Sequence, residues 1–316
     1  MSFRQFLIKR VLYVLPTLFL VTVAVFSILH MVPGDPVDAL LSEMQDEEMR
    51  IILIKQLGLD QPIYVQYFRW MTKVVQGDLG QSILHNRSVS LIIKDALPRT
   101  AYLAVAAMAL ALIIALPLGI IAAVKRKKWQ DYFAQVTAMI GLSVPAFWEG
   151  LLVMLFFGLI LGWFPVGGYT DPSEDFFDFL HHLFLPAVVL GFELVAVLTR
   201  MTRSTMLDEL NKDYVQTHRA QGLPERQIIT RYVLKNALMP TLTIGSIRMA
   251  ALLGGTVVIE SVFSWPGIGR TILEGITSQD FPVVQGGVLV VSFAFIFINL
   301  LVDIIHKWID PRIKLE

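Results

Sequence analysis

Five ionisable side chains fall inside long apolar stretches of this sequence: Glu149, Glu193, Arg248, Glu260 and Asp303. Insertion scales put a charge at mid-membrane at about 2.5–3.5 kcal/mol, so a charge kept there has a partner, water or a task. Glu193 and Arg248 carry opposite signs, each near the middle of its stretch. They read as an ion pair locking two helices or as the polar lining of a water-filled path; lining is favoured, because the two roles are compatible. Glu149 follows Pro145 and Trp148, where a carboxylate can also satisfy backbone freed by the proline. Glu260 closes its stretch, near the external mouth of such a path. Asp303 stands within a turn of a cytoplasmic end and can meet water or Lys307 at i+4.

No catalytic set accompanies these residues. No glycine is followed by lysine, so the phosphate-cradling G-x-x-x-x-G-K-[ST] loop is absent and the chain has no means of holding ATP in that way. There are no cysteines, which excludes disulfides, thiolate metal sites and a cysteine nucleophile. The six histidines are scattered without an H-E-x-x-H pair, and a metal site is not expected. The neighbours His181 and His182 fit a solvated interfacial role. Gly119, Gly141 and Gly158 suit close helix packing.

The elements that position the charges are membrane spans. Apolar residues make up 55% of the chain, charged residues only 16%, and mean hydropathy is +0.63, far from a soluble domain. Six segments approach or exceed the ~20 residues a crossing helix needs: Val11 to Met31, Leu97 to Val124, Tyr132 to Leu161, Leu183 to Thr199, Ala237 to Glu260 and Phe281 to His306. The first is too long for a cleavable leader and is expected to be retained. Lysine and arginine number 17 in the two termini, the second loop and the fourth loop, against 1 in the opposite short loops. Both termini are therefore expected in the cytoplasm. The fold class is an all-α integral membrane protein, one permeation domain over 1–316, with a folded external cap at 32–96. Its net charge of zero says nothing about a nucleic-acid or acidic partner, for which only the distribution of charge can inform, and no nucleic-acid partner is expected.

In the cap, the Pro33-Gly34-Asp35-Pro36 turn precedes expected helices Leu40 to Leu57 and Ile63 to Val75. Tyr64, Tyr67, Phe68 and Trp70 either pack the cap onto the membrane interface or form a docking face for an external partner. No internal repeat or inverted copy is evident.

The cytoplasmic loop 200–236 is the other distinctive feature. Leu207, Leu210, Tyr214 and His218 recur every three or four residues, predicting one helix that Gly222 caps. A second helix is expected from Pro224, with Glu225 at its positive dipole end. Such a helix, glycine break and helix makes a projecting elbow, suited either to the membrane surface or to another protein's groove; its place between two spans favours the groove.

The run DYVQTHRAQGL through NALMP resembles the cytoplasmic signature loop of ABC-importer permeases, in the form used by the oligopeptide, dipeptide and nickel subfamily. Also similar are MVPGDP, LGLDQPIYVQYFRW, GDLGQS, SVPAFW, GGTVVIESVFSWPGIGR, DFPVVQG and NLLVDIIHKWIDPRI, together spanning nearly the whole chain. The usual Glu-Ala-Ala of the signature is replaced here by Gln216, Thr217 and His218, with Gly222 kept. The resemblance implies the first permease of a heterodimer in a bacterial or archaeal inner membrane. It further implies two cytoplasmic ATPases that bind ATP and Mg, an extracytoplasmic binding protein, and no cofactor in this chain. Coupling to the ATPase would fall on Asp213, Tyr214, Thr217, His218, Arg219, Ala220, Gly222 and Leu223. The cargo would be dipeptides or oligopeptides, with nickel, a metal chelate or glutathione as alternatives on the same scaffold. A six-span channel would show a selectivity ring or filter loop, and an intramembrane enzyme would need a catalytic pair beyond Glu193 and Arg248; neither is found.

Overall fold

The computed structural model describes residues 3–31 and 60–309. The expected cap turn at Pro33 to Pro36 and the expected helix Leu40 to Leu57 lie outside them, as does the side chain of Asp303. The described residues are helical apart from loops and one isolated bridge, Gln81 to Ser88. Two compact units emerge, Met1–Thr100 with Pro266–Leu300, and Ala101–Trp265 with Leu301–Glu316.

In the first unit, α1 (Phe3–Met31) is followed by α2 (Ile63–Val75), which starts directly after Pro62. The two pack through Tyr67, whose hydroxyl lies 2.8 Å from Thr22 Oγ1, and through Phe26, whose ring centroid is 5.4 Å from Tyr67 and 5.7 Å from Trp70. The opening turns of α3 (Val89–Val124) bury Val89, Ile93 and Ala96 against Ile268 of α10 (Ile268–Thr277) and Val283 of α11 (Phe281–Ile309). Buried Asp280 pins the loop before α3: it accepts from Ser82 Oγ at 2.5 Å and from the Leu84 amide at 3.2 Å.

The second unit is built around α6 (Phe176–Leu210), whose 35 residues reach about 52 Å at helical rise. Its side-chain-capped start at Asp175, which accepts from the Phe177 and Asp178 amides, lies well before the expected Leu183, and its end lies well past Thr199. Hydropathy marks where an apolar environment ends, not where the backbone ladder ends. Glycines let neighbours approach α6 closely. A Cβ on Gly119 of α3 would stand 2.6 Å from Thr202 Cβ and 2.9 Å from Thr199 O, and one on Gly141 3.1 Å from Ala196 Cβ. Gly158 instead packs against Val166 in the following loop. Gly119→Leu is therefore expected to cost about 1–3 kcal/mol through forced separation of α3 and α6. Unchanged yield and unfolding midpoint in detergent would show that contact to be dispensable.

The expected third span is broken. Helix α4 (Trp129–Ser143) and helix α5 (Ala146–Val153), which runs on as a π-helical stretch Met154–Ile160, meet at a bend of 104°. The cause is Pro145, which has no amide to donate and drives Val144 into extended backbone at φ −88° and ψ 126°. The expected fifth span is interrupted too, as α8 (Leu234–Gly255) and α9 (Val257–Val262) divided at Thr256. Among the described residues three helices are long and apolar enough to cross a membrane, four if the bent pair counts as one span.

Candidate functional site

The elbow is a short helix fastened at both ends. Helix α6 stops at Leu210, and α7 (Asp213–Ala220) begins after Lys212, so Leu207, Leu210, Tyr214 and His218 are divided between two helices instead of lining the expected one. The stripe nevertheless faces one core, because the direction change at Asn211 and Lys212 keeps its apolar side inward. Val215 is fully buried with Met206 of α6, Ile228 and Val233 of a π-helical stretch (Ile228–Val233), Ala237 of α8 and Ala123 of α3. Glu209 gathers the α7 entry: it accepts from the Tyr214 hydroxyl at 2.8 Å and pairs with Lys212. Burial first, then Glu209, pushes the Tyr214 hydroxyl above the usual phenol range, and the hydrogen bond to Glu209 holds the Lys212 ammonium above its ordinary value.

At the far end the Gly222 amide donates to Arg219 O at 3.0 Å and the Leu223 amide to His218 O at 3.2 Å, with Gly222 at φ +78°. This is the Schellman closure, with half-buried Leu223 supplying its apolar contact. The second helix opens at Glu225, one residue past the expected start, with Pro224 as its extended N-cap at φ −67° and ψ 140°, and continues through the π-helical stretch into α8. Arg219 Nε reaches Glu225 Oε1 at 2.5 Å across the turn, and the His218 ring lies over Tyr232 with centroids 4.2 Å apart. Of the predicted coupling residues, Tyr214, His218 and Leu223 brace the elbow from inside, whereas Asp213, Thr217, Arg219, Ala220 and Gly222 are exposed.

Glu193 on α6 and Arg248 on α8 are brought together, Oε1 to Nη1 at 3.6 Å. That separation is a charge contact longer than a hydrogen bond. Their side chains are 55% and 45% exposed, on a helix otherwise mostly buried, so the pair opens outward from this chain. Glu149 is half-buried in the first turn of α5, just past the bend. Glu260 is fully buried in α9, where it accepts from Thr256 Oγ1 at 2.8 Å across the α8–α9 break.

His182 Nδ1 lies 3.0 Å from Asp178 O, and His181 Nε2 lies 2.6 Å from Trp163 O. Among the described residues no cluster of side chains could hold a metal ion.

One buried constellation has no counterpart in the sequence reading. Arg203 on α6 grips Asp131 on α4 with two bonds, Nε to Oδ1 at 2.6 Å and Nη2 to Oδ2 at 2.9 Å. Asp131 also accepts from the Lys127 amide and from Gln135, both at 2.9 Å. The two residues lie 72 positions apart, and each looked like an ordinary flank of a span.

Comparison with known proteins gives the assembly its class. Residues 115–315 match the family described as binding-protein-dependent transport system inner membrane component, and residues 3–104 match the N-terminal family of such membrane components. The chain belongs to this family of inner-membrane transport permeases. The glutathione transport system permease protein GsiC of Salmonella paratyphi A is 38% identical over 98% of this permease and 99% of its own length. The dipeptide transport system permease protein DppB of Alkalihalophilus pseudofirmus is 38% identical over 97% and 98%. The probable D,D-dipeptide transport system permease protein DdpB of Escherichia coli K12 is 41% identical over 93% and 92%. Among solved structures, an inward-facing MetNI methionine ABC transporter matches 70% of this permease and 97% of that chain at a TM-score of 0.57; at 19% identity this speaks for the fold. The permease is thus a bacterial inner-membrane component of an ABC import system that works with a binding protein.

Proposed function

We propose that this permease is one half of a heterodimeric, ATP-driven peptide importer. Its six spans leave both termini in the cytoplasm, and the elbow between the fourth and fifth spans seats in a groove of a partner ATPase. The partner subunits bind ATP and Mg and do the hydrolysis; this chain is non-catalytic and carries no cofactor. Di- or oligopeptides are the favoured cargo, in line with the relatives named for dipeptide, D,D-dipeptide and glutathione transport. Glutathione, nickel or a chelate are the alternatives, to be decided by the ligand that co-purifies with the binding protein.

The observation that carries this reading is the welding of the elbow. Buried Val215 ties α7 to the ends of α3, α6 and α8 at once, so a push on α7 reaches the membrane helices as a rigid displacement rather than being lost in a loop. Glu193 and Arg248 then line the path beside the second permease, and Glu149 lies near the bend that α4 and α5 make in its wall.

Gly222 tests the lever. A Cβ there meets nothing within 4 Å, so substitution acts through φ +78° alone. Gly222→Val is expected to cost about 1–2 kcal/mol or more in backbone strain and to uncouple ATP hydrolysis from uptake in proteoliposomes carrying the whole importer. Gly222→Asn, which tolerates this region, is expected to retain most coupling. Wild-type import by the assembled valine variant would remove the lever from the mechanism.

A further inference from the structure

Helix α2 has two apolar sides, and among the described residues only one of them packs against another helix. Tyr67 and Trp70 turn to α1, where the Tyr67 hydroxyl meets Thr22 and both rings pack on Phe26. At about 100° per residue, Tyr64, Phe68, Met71 and Val75 fall within an arc of roughly 60° beside that contact. Tyr64, Phe68 and Val75 are among the most exposed large apolar side chains of the protein. Arg69 and Lys73 project roughly 130–170° away from the centre of that stripe, and both are exposed. The helix contains no acidic residue.

We infer that α2 lies along the outer membrane surface as an interfacial helix, its Tyr64, Phe68, Met71 and Val75 stripe in the acyl region and Arg69 and Lys73 on headgroup phosphates. Three observations select lipid as the occupant. The stripe adjoins α1, whose Leu12, Tyr13, Leu15, Phe19 and Leu20 are exposed along the segment read as a span. The contact with α1 runs along about two of its turns, Tyr67 meeting Phe19, Thr22 and Phe26, so α2 lies against the flank of the segment read as a span. Apolar and basic sides oppose one another, with Tyr64 and Phe68 supplying aromatic rings within the apolar stripe, as an interface between headgroups and acyl chains favours. The cap is thereby fixed in depth and tilt, so whatever it presents to the outside is held at a constant height above the bilayer.

This inference rests on the reading of α1 as a span with its N-terminus inside, and the test separates the two. Single cysteines are clean probes because the chain has none of its own. Phe68→Cys, Leu15→Cys on α1 and Gln76→Cys at the α2 C-cap each take a bimane label in the full importer. The importer is reconstituted in vesicles of phosphatidylglycerol and phosphatidylcholine brominated high on its acyl chains. The Phe68 label is expected to be quenched by brominated lipid as the Leu15 label is, and to be several-fold less open to aqueous iodide than the Gln76 label. Arg69→Glu with Lys73→Glu is expected to move the Phe68 label toward iodide, and an unchanged ratio would remove the two cations from the assignment. Quenching by iodide at Phe68 while Leu15 answers to lipid would mark a solvent or protein-docking face and overturn the inference alone. Quenching by neither would mean that another part of the chain covers the stripe, with the same consequence. Lipid failing to reach Leu15 would overturn the span and the inference together.

Discussion

Asp131→Ala is expected to destabilise the permease by about 3–5 kcal/mol, because it strands a guanidinium rather than merely deleting a contact. The Asp131 side chain is 2% exposed, and that of Arg203, 22% exposed, is only partly open to water, which replaces little of the lost carboxylate. The Lys127 amide and the Gln135 side chain lose their acceptor in the same stroke, the first of them in a residue held at φ +61°, a conformation that costs a non-glycine residue about 1–2 kcal/mol. Asp131→Asn keeps an acceptor without the charge and is expected to fall between alanine and wild type. Asp131→Leu with Arg203→Met removes both charges and is expected to recover most of the loss, since a buried pair often contributes little beyond an apolar pair of similar volume. The measurement is the unfolding midpoint in detergent across the four proteins. A single alanine within about 1 kcal/mol of wild type would place the pair among exposed ion pairs of small worth.

Features that depend on local chemistry were legible in the residues. The elbow is one: a glycine at C′, a proline just beyond and a glutamate at the next start are read from a dozen consecutive positions, and each stands within a residue of its expected place. The approach of Glu193 and Arg248 was legible for another reason, the cost of a charge in an apolar helix. Asp131 and Arg203 escaped because position at a span flank already explained each of them, and nothing local pairs residues on different helices.

Helix lengths were misread for one physical reason. The end of α6 carries Arg200, Ser204 and Asp208 on an exposed side and Thr202, Thr205 and Met206 on a buried one. The start of α3 buries Val89, Ile93 and Ala96 while Lys94 and Asp95 interrupt the apolar run. Both stretches are amphipathic extensions, which lower hydropathy without breaking hydrogen bonds. The 104° bend had the opposite problem: Pro145 was visible, but a window averaged over apolar neighbours cannot tell a kinked helix from a broken one.

Glu193→Leu and Arg248→Leu are expected to cut transport by an order of magnitude or more while barely touching stability. The pair is half exposed and 3.6 Å apart, a geometry worth about 0–1 kcal/mol to folding. A structural role would therefore leave both properties nearly intact, and a lining role would separate them. Peptides carry an amine and a carboxylate, so weak wet contacts with one group of each sign let a zwitterion pass without trapping it. Removing either charge leaves the other unbalanced in the path, and the swap Glu193→Arg with Arg248→Glu restores neutrality with the order of charges reversed. The swap is expected to assemble as the wild type does and to restore transport only in part. Solvent access decides the matter: cysteines at 193 and 248 in the complete importer should react with a membrane-impermeant maleimide in one nucleotide state and be shielded in another. Positions closed to the reagent in every state, together with normal import by the double leucine variant, would make the pair a contact with lipid or with the second permease and remove it from the path.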